Sequence, residues 1–144
     1  MTINYQERFD NAKPSYIKVN DKQFADLPAG TTVLIPSPKD IASTIDMIPA
    51  GKRVTLTQLR DSLASQHSAD GACPVMTGMN LRVVAEVSLD ALDAGVPLED
   101  VTPVWRAMDP NGSVAAKVPG GADRLRSLRH ADADAGAEGC MSQA

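Results

Sequence analysis

Apolar residues recur at helical spacing in two stretches of the first half of the chain, and each stretch follows a good capping residue. Ser37 can cap the first helix, with Pro38 at its first position and Asp40 closing a pair of the capping-box type. Thr55 can cap the second helix, with Gln58 reaching back to it. The apolar faces consist of Ile41, Ile45 and Ile48 in the first helix and of Leu56, Leu59 and Leu63 in the second.

The same spacing predicts two helices in the second half. The longer covers residues 74–94, a rod of roughly 30 Å, and Gly95 terminates it. Gly78 interrupts this helix at a cost of about 1 kcal/mol, which indicates that a neighbouring helix or a ligand approaches the backbone there. The shorter helix covers residues 122–130.

Three short runs have extended character. Residues 31–36 contain the apolar segment Val33-Leu34-Ile35, which predicts a strand. Residues 104–108 and 114–118 are two further runs, and Asn111-Gly112 between them favours the positive φ angles of a tight turn. The pattern therefore predicts a two-stranded ribbon that carries Trp105 and Arg106.

The periodicity divides the chain into three parts. Residues 1–30 have no sustained pattern and are predicted to form an irregular arm. Residues 31–130 form one domain of the α/β class, mostly helical with a small β-ribbon. Residues 131–144 are rich in Ala, Asp and Gly, and we expect them to be disordered.

Composition and charge argue against several classes of protein: membrane proteins, metal or cofactor proteins, and generic nucleic-acid binders. The chain has no apolar run near the roughly 18 residues of a membrane span, and its first residues do not resemble a signal peptide, so we expect a cytoplasmic protein without membrane contact. Cys73 and Cys140 lie far apart, and no metal-ligand spacing occurs, so neither a disulfide nor a metal or cofactor is expected. The net charge of −4 argues against a generic nucleic-acid binder.

Two residues have both a functional and a structural interpretation. Trp105, the only tryptophan, lies beside Arg106 and either lines a site or fills the core. Cys73 directly precedes the long helix, whose dipole would favour a thiolate nucleophile. The alternative for Cys73 is a small buried residue.

From about residue 48 to residue 130 the chain resembles the C-terminal DNA-binding domain of the O6-alkylguanine-DNA alkyltransferases and their alkyltransferase-like relatives. Ile48-Pro49-Ala50-Gly51-Lys52-Arg53-Val54-Thr55 resembles the family's Ile-Pro-x-Gly-x-Val-Thr segment. Thr102-Pro103-Val104-Trp105-Arg106 resembles its Pro-Cys-His-Arg segment, and Asn111-Gly112-Ser113 resembles the Asn-Gly that follows. Ala72-Cys73-Pro74-Val75-Met76-Thr77-Gly78 resembles a branch that carries Cys-Pro-x-Thr-Thr-Gly. The resemblance implies a winged-helix-like fold.

The departures from the family pattern concern its chemistry. Val104 and Trp105 stand where the family has its acceptor cysteine and the histidine that activates it, so the alkyl transfer cannot occur there. Val75 or Met76 stands near the position of the arginine that replaces an extruded base, and Leu56 near that of a phosphate-pushing tyrosine. The resemblance therefore implies a monomeric, non-catalytic protein of DNA repair that binds double-stranded DNA, with alkylated guanine as the candidate lesion.

The resemblance also assigns roles to individual residues. The residues implied to contact DNA are Thr55, Arg60, Thr77, Arg82 and Lys117. The residues implied to line or support the former active-site pocket are Cys73, Pro103, Val104, Trp105, Arg106, Asn111 and Ser113. Two alternatives stay open: an enzyme that uses Cys73 as its nucleophile, and a module for protein partners or small molecules that has lost DNA binding.

Overall fold

Five helices and a small three-stranded sheet make up the part of the chain that the computed structural model describes, residues 4–142, with side chains as far as residue 134. The helices are α1 (Tyr5–Asp10), α2 (Pro38–Asp46), α3 (Leu56–Gln66), α4 (Pro74–Asp93) and α5 (Gly121–Ser142). The strands are β1 (Tyr16–Val19), β2 (Thr32–Ile35) and β3 (Gly71–Ala72). Short 3-10 turns cover Leu98–Asp100, Val104–Arg106 and Ala115–Lys117. The protein is therefore a mostly helical member of the α/β class.

The sheet has the order β1-β2-β3, with β1 antiparallel and β3 parallel to the central strand. Tyr16 pairs with Ile35, and Val33 pairs with Gly71. The strand predicted from Val33-Leu34-Ile35 is confirmed as β2, and all three of these residues are buried. A central strand covered on both faces reads as a continuous apolar run, which is what this segment shows.

Both predicted helix caps are present. The side chain of Thr55 accepts a hydrogen bond from the backbone N–H of Gln58, whose side chain accepts one from the N–H of Thr55. The side chain of Ser37 accepts from the N–H of Asp40, but Asp40 does not return the bond. Instead Ser15 accepts from the N–H of Ser37 and donates to the Asp40 carboxylate, so a hydroxyl from the N-terminal region closes this cap.

The long helix is confirmed as α4, and Gly95 follows it with a φ of 98°. The surroundings of Gly78 differ from the prediction, because no heavy atom of the described residues lies within 4 Å of the place where a Cβ would stand. No neighbouring helix of the described chain therefore approaches the backbone of Gly78. The position opens onto free space instead.

Two predicted segments are wrong in their secondary structure. The expected irregular arm contains α1, which lies against α4, and β1, which pairs with β2. The expected ribbon is replaced by the turns Val104–Arg106 and Ala115–Lys117. Val104 and Trp105 are both fully buried, whereas a surface ribbon would expose one of two neighbouring residues. Neither Asn111 nor Gly112 has a positive φ, so the hairpin turn is not formed.

The end of the chain also differs from the expectation of disorder. Helix α5 does not stop at residue 130 but continues to Ser142, and residues 143–144 lie outside the described part. Asp132, within the predicted tail, is buried and bonded to Arg106. The alanine-rich composition favours a helix once such a contact fixes its first turns.

The main core lies between α2, α3, α4, α5 and the turn Val104–Arg106. Its largest fully buried side chains include Trp105, Leu34, Ile41, Leu63, Leu89 and Leu125. A smaller apolar cluster lies at the sheet and consists of Leu27, Val33, Ile35 and Cys73, with Met76 packed against it.

Candidate functional site

The Trp105-Arg106 segment is part of the core rather than an open site. Trp105 is only 1% exposed, and its indole Nε1 has no hydrogen-bond partner within the described residues. Arg129 of α5 donates through Nε to the backbone oxygen of Trp105 at 2.6 Å and also bonds to that of Met108. The structure therefore supports the core-filling interpretation of Trp105, and Pro103 and Val104 are buried with it.

Arg106 joins three parts of the chain. Its Nη2 donates to Oδ1 of Asp132 at 2.6 Å, its Nε contacts both carboxylate oxygens, and its Nη1 donates to the backbone oxygen of Ile48 at 2.6 Å. The backbone N–H of Gly51 donates to Asp132 at 3.0 Å. These bonds hold α5 against the segment between α2 and α3. The polar groups of Arg106 and Asp132 are therefore occupied by contacts within the fold.

The ionisation of Asp132 follows from this arrangement. Burial opposes the charged carboxylate, but the hydrogen bonds from Arg106 and Gly51 outweigh it. The pKa of Asp132 therefore lies below its ordinary value. The carboxylate is charged at neutral pH and acts as a fixed partner for Arg106.

Cys73 lies away from this segment. It stands at the N-cap of α4, makes no side-chain capping bond, and is buried in the small cluster with Leu27, Val33 and Ile35. A thiol enclosed by aliphatic side chains behaves as a small apolar residue. The geometry thus matches the structural interpretation of Cys73 rather than that of an accessible nucleophile.

The five residues implied to contact DNA do not form one surface. Thr55 and Lys117 are exposed. Thr77 is fully buried, and its hydroxyl donates to the backbone oxygen of Cys73. Arg60 is buried as well, donates to the backbone oxygen of Ala72 at 2.9 Å and forms a bidentate pair with Asp26. Arg60 is therefore occupied within the fold rather than presented to DNA, because its guanidinium joins α3 to the chain before β2.

Arg82, the fifth residue of this set, is partly buried. Its guanidinium carbon lies 5.5 Å from the ring centroid of Tyr5, and its Nε lies 3.7 Å from a carboxylate oxygen of Glu86. Burial raises the pKa of Glu86, and the charge of Arg82 opposes this shift only in part. Helix α1, which the sequence did not predict, therefore covers one side of Arg82.

An apolar groove is the most site-like feature near the segments that carry the family resemblance. It encloses about 160 Å³ between the start of α3, the first half of α4 and residues 107–115. Its apolar lining consists of Leu56, Gly78, Leu81, Ala107, Met108, Val114 and Ala115, with Asp109, Gly112 and Ser113 completing the wall. We call this feature the Gly78 groove. The missing side chain of Gly78 accounts for the open space over α4.

The lining of the Gly78 groove differs from the set of pocket residues predicted from the sequence. Ser113 lines it, whereas Cys73, Pro103, Val104, Trp105, Arg106 and Asn111 do not. Asn111 is exposed, and its side-chain oxygen accepts a hydrogen bond from Arg126 at 2.8 Å. One sequence signal indicates the groove, a glycine inside a long helix, whereas Leu81, Met108 and Val114 have the character of ordinary core residues.

Two classes of site are not found among the described residues. No group of three or more His, Cys, Asp or Glu side chains there could hold a metal ion. None of the helices within residues 4–142 has the length and apolar character needed to cross a membrane.

Comparison with known proteins adds no relative: no protein-family model, curated protein or solved structure matches this chain.

Proposed function

We propose that this protein is a non-catalytic DNA-binding protein that holds an alkylated guanine in the Gly78 groove. The observation that carries this proposal is the groove itself, an apolar space bounded by two segments of the family resemblance. Leu56 stands near the position of the phosphate-pushing tyrosine, and Ser113 belongs to the Asn-Gly-Ser segment. The winged-helix-like architecture belongs to the same proposal.

The size of the groove suits one group of a larger ligand. Sites for whole small molecules enclose about 300–1,000 Å³, whereas this groove encloses about 160 Å³. A base extruded from a duplex is such a group, because the rest of the ligand stays outside. Thr55 precedes Leu56 and Lys117 follows Ala115 by two residues, so both exposed members of the predicted DNA-contacting set flank the groove.

The lining favours alkylated over unmodified guanine and favours binding over reaction. A methyl group buried against apolar side chains contributes about 0.8 kcal/mol, which is about fourfold in affinity. Among the described residues no cysteine or histidine lines the groove, so this lining holds no thiolate to accept the alkyl group and no imidazole to activate one.

Fluorescence anisotropy of a labelled duplex, with and without one O6-methylguanine, tests the proposal. We expect the lesion duplex to bind about fourfold tighter or better, and both affinities to fall as salt rises because phosphate contacts release counterions. Gly78→Leu should abolish the preference, since its side chain enters the groove without meeting other atoms at Cβ. Ser65→Leu, an exposed position on α3, is the matched control. Equal affinity for the two duplexes would overturn the proposal.

A second candidate function is a module for an apolar small molecule or protein partner. The hydrogen bonds of four arginines favour it, because these side chains contact carboxylates or backbone oxygens of the described chain rather than facing a phosphate. The four are Arg60, Arg106, Arg124 and Arg129. Calorimetric titration with the free base O6-methylguanine separates the candidates. Binding of the free base that Gly78→Leu abolishes, together with no binding of either duplex, would favour this second function.

A further inference from the structure

The outer edge of the sheet is apolar, and no other element of the described chain covers it. Within residues 4–142 strand β1 pairs only with β2, and all four of its residues are exposed. Tyr16 is 56% exposed, Ile17 45% and Val19 61%. Natural proteins usually protect such an edge with charges, a bulge or a covering element, because it can pair with another chain.

The backbone of β1 has free pairing groups on this edge. Asn20 donates its N–H to Thr31 at 3.0 Å and accepts from the N–H of Gly30 at 2.7 Å, so its backbone faces β2. Because these directions alternate along an antiparallel strand, Tyr16 and Lys18 also bond toward β2. The N–H and C=O groups of Ile17 and Val19 therefore point away from the sheet.

The charge along the edge selects the kind of chain that can pair with it. Residues 13–22 contain Lys13, Lys18 and Lys22 against one acid, Asp21, and none of these lysines forms an ion pair within the described residues. A second copy paired antiparallel about Lys18 would place two lysines opposite each other, which is unfavourable. An acidic residue opposite Lys18 is favourable for the same reason.

A groove continues from Tyr16 across the sheet to α4. It encloses about 320 Å³, with Ile35, Met76 and Val83 in its apolar lining and with the cations Arg8 and Lys13 beside them. A strand added to β1 turns alternate side chains to the two faces of the sheet, and the residue opposite Lys18 shares the face of Tyr16 and of this groove. Acidic side chains on that face would lie near Lys18 and the two cations.

We propose that the free edge of β1 binds an extended segment of another protein in which apolar and acidic residues alternate. The segment adds as a fourth strand, its backbone bonds to Ile17 and Val19, its acidic side chains share the face of Tyr16 and Lys18, and its apolar side chains lie on the opposite face beside Ile17 and Val19. Addition of a strand to a sheet edge draws affinity from main-chain hydrogen bonds and specificity from alternate side chains. This site is separate from the Gly78 groove and does not depend on DNA binding.

The test uses two fluorescently labelled seven-residue peptides, one alternating valine with glutamate and the other valine with lysine. Anisotropy is measured with the full chain at about 0.15 M salt, where charges more than about 8 Å apart are screened. We expect the glutamate peptide to bind at least about threefold tighter, the size of an opposite-charge cross-strand pair. Lys18→Glu should reverse the preference, whereas the same charge change at the exposed Lys52 should leave it unchanged.

Ile17→Pro tests the backbone contribution. Proline removes the outward N–H, which the β1–β2 ladder does not use, and an edge strand tolerates it. We expect at least a tenfold loss of glutamate-peptide binding with unchanged Trp105 fluorescence. Absence of binding by the unaltered protein, equal binding of both peptides, or binding that survives Ile17→Pro would overturn the proposal. Sedimentation showing a dimer that Ile17→Pro dissociates would assign the edge to a second copy and would also overturn it.

Discussion

Removal of the Asp132 carboxylate is the sharpest perturbation of the fold that the structure offers. The side chain of Asp132 is 7% exposed and that of Arg106 is 16% exposed, and they meet at 2.6 Å. Asp132→Ala leaves the guanidinium of Arg106 largely buried, with the Ile48 carbonyl as its one remaining partner among the described residues. Breaking one side of a buried ion pair costs about 3–5 kcal/mol, a large part of the roughly 5–15 kcal/mol that stabilises a typical domain.

Urea unfolding followed by Trp105 fluorescence measures this cost. With a slope of about 2 kcal/mol per molar urea, the midpoint of Asp132→Ala should fall by about 1.5–2.5 M. Asp134→Ala is the matched control, because Asp134 lies on the same helix, is exposed, and among the described side chains meets only that of His130, at 3.8 Å. Its midpoint should move by less than about 0.5 M. Similar shifts for the two variants would refute the structural role assigned to Asp132.

The same pair predicts a pH dependence with a defined sign. The folded-state pKa of Asp132 lies below the ordinary value of 3.8, so its contribution to stability is fully present well above that value. The contribution is lost as the pH falls through 3.8 and then through the lower folded-state pKa. The difference in midpoint between the unaltered protein and Asp132→Asn should therefore shrink as the pH is lowered below about 4. A constant difference between pH 3 and pH 7 would contradict this.

Three further predictions concern single positions. Gly78→Ala should stabilise the protein by about 1 kcal/mol in a thermal melt, because the position is helical and open; a lower melting temperature would mean that the backbone there is closely approached. Thr55→Ala should cost about 1 kcal/mol in urea unfolding through loss of the capping box, and no loss would contradict the cap. In a Cys140→Ser background, Cys73 should react with a thiol reagent slowly when folded and rapidly in urea, whereas immediate reaction of the folded protein would contradict its burial.

Features that depend on neighbouring residues could be predicted from the sequence. The caps at Ser37 and Thr55, the buried run of β2 and the glycine stop after α4 each follow from residues within a few positions of one another. Local preferences and tertiary packing agree at these places. They are therefore the parts of the fold where a single sequence is informative.

Features that depend on distant partners could not be predicted. Strand β1 has no alternation of buried and exposed residues, because nothing in the described part of the chain buries either of its faces. Arg60 resembles a surface cation until Asp26, 34 positions earlier, is placed beside it. The segment around Trp105 reads as a ribbon because its burial depends on Arg129 and Asp132 of α5, more than 20 positions later.

The candidate site shows the same division. A glycine inside a helix lowers its stability, and this local signal at Gly78 indicates the position of the groove. The wall formed by Met108 and Val114 depends on how residues 107–115 return to α4, which no local pattern reports. The strongest sequence signal, Trp105-Arg106, instead marks a cluster that holds the C-terminal helix.

Whether the Gly78 groove holds an alkylated guanine is decided by anisotropy titration of the O6-methylguanine duplex and its unmodified counterpart, with the unaltered protein and with Gly78→Leu. We expect a preference of about fourfold or more for the lesion, lost in Gly78→Leu and kept in Ser65→Leu. Equal affinity of the unaltered protein for both duplexes, or a lesion preference that survives a filled groove, would contradict it.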